Sequence, residues 1–277
     1  MILKNGSTGD DVKKLQTKLG LTSDGSFGSS TETAVKKWQS DNGLTADGIV
    51  GDGTWSKMFG SFITEVVIGG QLDLNKLKCK IPQSIFDVLP EAFTKYEINT
   101  LLRASHFLGQ IAHESGDFTI KTESMNYTTP SRIVDIWPSR FNLDGSGTKK
   151  DAHKYIKNQE ILAEAVYGGR MGNDQPGDGF RFRGGGFLQL TGKEAYQDYA
   201  KYLGKSVGDA ADLLHTDNKY ALDAACWEYV INMKLNPVAD LGMTDEVILK
   251  ITKKINGGTI GLDERKTKVK HFYSILS

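Results

Sequence analysis

The 277-residue chain has little cysteine and little proline, two and six residues, and no surplus of either charge, 34 Lys and Arg standing against 34 Asp and Glu. Cys79 and Cys226 can make at most one bridge, so a disulfide-dense scaffold is excluded and the fold must rest on its core; both are read as buried thiols. Zero net charge removes the long-range attraction by which nucleic-acid binders and membrane-surface proteins find their partners, and no nucleic acid is expected. Purely apolar stretches such as Val66 to Ile68 fall far short of the roughly 20 residues that cross a bilayer, so no membrane insertion is expected either. The segment Met1 to Gly6 lacks the basic start and apolar middle of a secretory signal, which implies retention in a cytoplasm. What is present is 39% apolar residues in a length that suits one large domain or two unequal ones.

Self-comparison supplies the first architecture. Val12-Lys13-Lys14-Leu15-Gln16 recurs as Val35-Lys36-Lys37-Trp38-Gln39, and Gly20-Leu21-Thr22-Ser23-Asp24-Gly25 as Gly43-Leu44-Thr45-Ala46-Asp47-Gly48, both 23 residues on. Each copy reads as a helix followed by an Asp-Gly turn, and a third helix starting near Thr54-Trp55 completes a small bundle that ends around Phe62. Its charges balance, so a ligand would be held by shape and hydrogen bonds. The spacing of Gly9 to Gln16 and of Asp47-Gly48-Ile49-Val50-Gly51 before Thr54-Trp55 resembles the peptidoglycan-binding domain of cell-wall hydrolases. The plainer alternative is a folding unit that caps the larger domain.

Residues 63–72, with a Gly pair, break the pattern and read as a linker between a domain at 1–62 and another at 73–277. The rest reads mainly as helices, near Gln83 to Leu89, Lys95 to Glu114, Asn158 to Val166, Lys193 to Leu203, Lys219 to Asn232, Thr244 to Asn256 and Leu262 to Leu276. Strand-like alternation is clearest over Asp117 to Ser124, with Phe118, Ile120 and Thr122 on one side and Thr119, Lys121 and Glu123 on the other.

Two carboxyls carry the candidate chemistry. Glu114 sits in the last turn of a helix stopped by Gly116, where the negative helix end disfavours a second negative charge, an environment suited to a proton donor. Glu123 lies nine residues on, in the strand-like segment. Glycoside hydrolysis needs such a pair, one to protonate the leaving oxygen and one to activate water or attack the sugar. A Glu at a helix end is, however, more often a solvated surface residue.

Context raises the functional reading. The run Phe107-Leu108-Gly109-Gln110-Ile111-Ala112-His113-Glu114-Ser115-Gly116 resembles the catalytic signature of glycoside hydrolase family 19, the chitinases and related phage endolysins. Glu123-Ser124-Met125-Asn126-Tyr127, Tyr167 to Asn173, Gly177 to Gly192 and Ile255-Asn256-Gly257-Gly258 agree in order, so the resemblance spans roughly Leu72 to the C-terminus. It implies that Glu114 is the general acid and Glu123 the base of an inverting attack by water. It also implies that Tyr127, Gln189, Thr191 and Asn256 contact the sugar cleft or its water, and that Arg265 lies near the carboxylates. Read without the family, Asn256 is a turn residue, Arg265 a solvated helix charge, and Gln189 a polar residue in an apolar run that needs a reason to be there. Two positions depart from the pattern: Gly185 stands where Arg is usual and Ala195 where Asn is usual.

The spacing of Glu114, Glu123 and Thr129 is also similar to the Glu, Asp, Thr arrangement of phage lysozymes. The fold expected is therefore mainly α: a three-helix wall-binding bundle, then a lysozyme-like two-lobed helical domain with a short β-hairpin. The resemblance implies a monomer without a cofactor whose partner is bacterial peptidoglycan. It implies residence in a host cytoplasm until the wall becomes accessible. A metal mechanism is disfavoured, because none of the five histidines forms HExxH and no Cys-His cluster has ligand spacing. Cys226, mid-helix, reads as core rather than nucleophile. A peptidoglycan glycosidase leads, with a chitinase and a non-catalytic wall binder as alternatives.

Overall fold

The computed structural model describes residues 2–59, 67–68 and 72–277. The chain divides into two compact units, Met1–Val66 and Val67–Ser277. Most of the linker expected at 63–72 lies outside the described residues.

In the N-terminal unit, α1 (Asp10–Lys18), α2 (Ser29–Asp41) and α3 (Asp52–Phe59) surround a core of Leu3, Val12, Leu15, Phe27, Val35, Val50, Trp55 and Met58. The 23-residue repeat is a structural repeat down to single hydrogen bonds. Gln16, 2% exposed, donates through Nε2 to Asp24 Oδ1, Ser26 O and Thr31 Oγ1, while its Oε1 accepts from Gly25 N at 2.8 Å. Gln39 does the same to Asp47 Oδ1, Ile49 O and Thr54 Oγ1, with Gly48 N donating to its Oε1 at 2.9 Å. A buried amide with every polar atom matched avoids the cost of an unpartnered one and ties each helix to its turn. Gly25 and Gly48 take left-handed φ of 74° and 76°, and a β-carbon on either would press into the aliphatic stem of Lys13 or Lys36.

The larger unit is mainly α. A short antiparallel pair, β1 (Val67–Ile68) with β2 (Leu72–Asp73), leads through a 3-10 turn into α4 (Gln83–Phe86), α5 (Leu89–Lys95) and α6 (Leu101–Glu114). Next come α7 (Pro130–Ile136), a parallel pair β3 (Phe141–Asn142) and β4 (Lys150–Asp151), α8 (Gln159–Tyr167) and α9 (Asp178–Arg181). The chain ends with α10 (Lys193–Leu203), α11 (Val207–Thr216), α12 (Asn218–Trp227), α13 (Asn236–Ala239), α14 (Asp245–Asn256) and α15 (Leu262–Leu276). Met125, Ile133, Phe141, Leu162 and Val166 form a hydrophobic cluster of their own beneath α7, β3 and α8.

At the centre α6 packs against α15, buried continuously from Ala104 to Ala112. Gly109 is what lets the helices meet: a β-carbon there would lie 2.4 Å from Val269 Cγ2 and 2.6 Å from its Cα. Contacts of Gly109 with Val269, Glu114 with Arg265 and His113 with Gly261 show the two helices running antiparallel.

Several sequence expectations are corrected. The helix expected from Lys95 to Glu114 is broken: Glu97 turns left-handed at φ 52°, Ile98 N closes on Phe93 O, and Thr100 Oγ1 caps α6 by accepting from Arg103 N. The segment Asp117 to Ser124 is no strand. Gly116, Asp117 and Phe118 are all left-handed, Ser115 Oγ accepts from Phe118 N, and only Thr122 pairs, across to Gly185. The expected alternation fails with it, since Phe118 is buried against Phe187 and Phe272 while Ile120 is 50% exposed. The helix expected to run to Asn232 passes into a π turn at Glu228–Asn232. Cys226 is buried as expected, but Cys79 is exposed, and both are free.

Candidate active site

Glu114, Asn256 and Arg265 belong to one hydrogen-bonded group and Glu123 to another. The first is built on the α6–α15 contact. Gln110 and Glu114 are one helical turn apart and so share a face of α6; Arg265 and Val269 likewise share a face of α15. With Val269 seated on Gly109, Arg265 reaches both: Nη1 donates to Gln110 Oε1 at 2.6 Å, and Nη2 pairs with Glu114 Oε1. The guanidinium is 2% exposed and the Glu114 side chain 23%, so the positive end is interior and the carboxyl faces outward. Arg265 Nε also donates to Ile260 O, which accepts from Asn256 Nδ2 as well. Asn256 Oδ1 takes Gly258 N, so that amide closes the loop between α14 and α15. Gln110 completes the set by donating to Thr252 Oγ1 on α14.

The second group surrounds Glu123, which extends from the turn after α6. Its backbone N donates to Gly184 O at 2.8 Å, and Gly184 N returns a bond to its Oε2 at 3.0 Å. From the C-terminal end of α8, Tyr167 Oη donates to both carboxylate oxygens at 2.8 and 3.0 Å. Two donors, the Tyr167 hydroxyl shared between both oxygens and Gly184 N, therefore hold the carboxylate in one orientation. Burial and the negative charge of Glu123 push the Tyr167 phenol well above its ordinary range, so it stays a donor. Arg183 Nε donates to the Glu123 carbonyl and its guanidinium lies 3.9 Å over the Phe180 ring.

Tyr127, edge-on to Trp137 at 5.4 Å, has its phenol raised by burial and by the charge of Glu123. Gln189 holds a left-handed φ of 53° and donates to Gly186 O; Thr191 Oγ1 donates to Gln189 O. A β-carbon at Gly184 would lie 2.6 Å from Gln189 Oε1 and 3.2 Å from Glu123 Cβ, so the bare glycine backbone is what lets Gln189 and Glu123 stand side by side. Sequence reasoning named neither Gln110 nor Tyr167 as a site residue, although both lie in runs it singled out. Gln110, a fully buried amide four residues before Glu114, was the legible one of the two.

Neither group resembles a metal centre: among the described residues no three His, Cys, Asp or Glu side chains are placed to hold an ion together. The arrangement supplies one carboxyl paired through a single oxygen with a buried arginine, and a second held by neutral donors. The two carboxyls therefore sit in different surroundings, one against a buried cation and one among neutral donors.

Residues 8–58 match the family model of the putative peptidoglycan binding domain. Over 200 residues, 70% of this chain and 90% of the relative, the sequence is 28% identical to a glycosyl hydrolase family 19 domain-containing protein of Haemophilus influenzae. Among solved structures, chitinase C of Streptomyces griseus HUT6037 is 17% identical with a TM-score of 0.42, covering 78% of this chain and 79% of that one. An endolysin of the Burkholderia phage AP3 is 19% identical with a TM-score of 0.34 and coverage of 99% and 98%. The chain thus joins a segment that matches the putative peptidoglycan binding domain to a region similar to a family 19 glycosyl hydrolase domain.

Proposed function

We propose that the protein is a cell-wall hydrolase that cuts the β-1,4 glycosidic bonds of bacterial peptidoglycan, with Glu114 as general acid and Glu123 as general base. The observation that carries this reading is the match of residues 8–58 to a peptidoglycan binder, in a chain whose family 19-like region holds both carboxyls in place by hydrogen bonds. Arg265 occupies Oε1 of Glu114 and leaves Oε2 to carry the proton delivered to the leaving oxygen. Glu123 takes a proton from water on the other face of the sugar, and the anomeric carbon inverts. Tyr127, Gln189, Thr191 and Asn256 serve the glycan cleft. In this reading the protein is an endolysin that waits in the cytoplasm of an infected host and lyses it on reaching the wall.

Glu114→Gln preserves shape and removes the acid. Hydrolysis of purified walls should fall by about 10²–10⁴-fold while wall binding persists, and undiminished hydrolysis would refute the assignment. A chitinase is the second reading, since the signature around Glu114 resembles that of the family 19 chitinases as well as of phage endolysins. Incubation with peptidoglycan and with chitin oligosaccharides separates the two, and the sugar at each borohydride-reduced end identifies the bond.

A further inference from the structure

The starting observation is Gly185, one of the two positions that depart from the family pattern. A β-carbon at Gly185 would lie 2.2 Å from Tyr196 Oη and 2.9 Å from His215 Cε1, so the room a side chain would need is already filled. His215 belongs to the last turn of α11, an element with no part in the chemistry described so far. Its Nε2 is 3.2 Å from Arg181 O and 3.4 Å from Tyr196 Oη, and its Nδ1 is 3.2 Å from Thr122 Oγ1. A carbonyl oxygen only accepts, so Nε2 carries the hydrogen and the Nδ1 lone pair accepts from the Thr122 hydroxyl. Burial first, and then the charge of Arg183, hold the imidazole below its ordinary range, against the opposing pull of the Arg181 carbonyl and Asp212; the neutral tautomer that these bonds need is thereby favoured. Tyr196 Oη completes the arrangement by donating to Arg183 O at 2.8 Å.

The bonded partners lie on two chain segments. Thr122 immediately precedes Glu123, whereas Arg183 immediately precedes Gly184 and Arg181 lies two residues before Arg183. Those same segments pair through Thr122 with Gly185 and through the two bonds between Glu123 and Gly184. We propose that His215 is a positioning residue for Glu123: it clamps the two segments whose pairing aims the carboxylate, from the space that glycine at 185 leaves open. This rests on the reading of Glu123 as the base.

The test uses the full-length chain on solubilised peptidoglycan, with kcat, KM and thermal midpoint measured together. His215→Ala should lower kcat about 10- to 100-fold with KM held within about twofold, as expected when a reacting group is misplaced rather than lost. His215→Gln, which keeps an N–H to offer Arg181, should recover part of that loss. Thr122→Val, which keeps the shape and removes the hydroxyl, should lower kcat in the same sense. Added to Glu123→Gln, His215→Ala should cost nothing more, whereas a general folding defect would lower the residual rate again. Unchanged kcat in both His215→Ala and Thr122→Val, or a further loss in the double variant, would overturn the role of His215 while leaving Glu123 in place. Wild-type activity in Glu123→Gln would instead remove the base itself, and the clamp with it.

Discussion

Arg265 is the residue on which the Glu114 half of the site turns. Its guanidinium is interior, and its two terminal nitrogens are divided between Gln110 and Glu114, a fork that a lysine cannot reproduce. Arg265→Met should therefore leave a part-buried carboxylate and a buried amide oxygen without their donor, at about 3 kcal/mol in folding stability, read as a lowered midpoint in denaturant. Wall hydrolysis should fall more steeply than stability accounts for, and Arg265→Lys should rescue little of it. A hydrolytic rate close to wild type in Arg265→Met would show that the pair has no part in catalysis. Taken from sequence alone this arginine is a charge on a polar helix, because nothing local reveals partners 155 and 151 positions away. Glu114 and Glu123 were legible because their runs carry the family pattern. The donors around Glu123 come from α8 and from the Gly184 loop, and only the fold brings them in.

Between helices, the same dependence appears at Gly109. Because the atoms nearest a β-carbon there include the backbone of Val269, no rotamer change on α15 can make room. Gly109→Ala should push α15 away and cost about 3 kcal/mol, at the upper end for an overpacked core, despite alanine's better helix propensity. Since Arg265 is one turn from Val269, activity should drop with it; calorimetry and wall hydrolysis on one preparation check both. Helix α10, stopped by a left-handed Gly204, and α15, which follows Gly261, begin and end where the sequence places them. The misses have physical causes. Thr100 is a strong cap that outweighs an apolar stripe running through it, and Ser115 with Gly116 offers the backbone local bonds that a strand cannot match. Helix α7 is absent from the helices expected, although its first residue, Pro130, is well suited to a first helical position.

At the scale of the whole molecule, the N-terminal unit has its own acid response. The carboxyls of Asp24 and Asp47 are held below the usual aspartate range, first by the backbone N–H of Ser26 and Ile49 and next by the Gln16 and Gln39 side chains. A carboxyl depressed in the folded state adds stability that is complete above the ordinary value of about 4 and drains away as pH falls through the folded one. Unfolding of this unit followed by circular dichroism should show an acid limb below pH about 4, flattened when Asp24 and Asp47 are both replaced by Asn. A limb equally steep in the double variant would exclude these groups as its source. The duplicated glutamine network also makes the molecule its own control experiment. A leucine at 16 and a leucine at 39 delete matching sets of bonds in one polypeptide, in one solvent and against one denatured ensemble. Any gap between the two losses then measures what surroundings alone add to an otherwise identical chemical deletion.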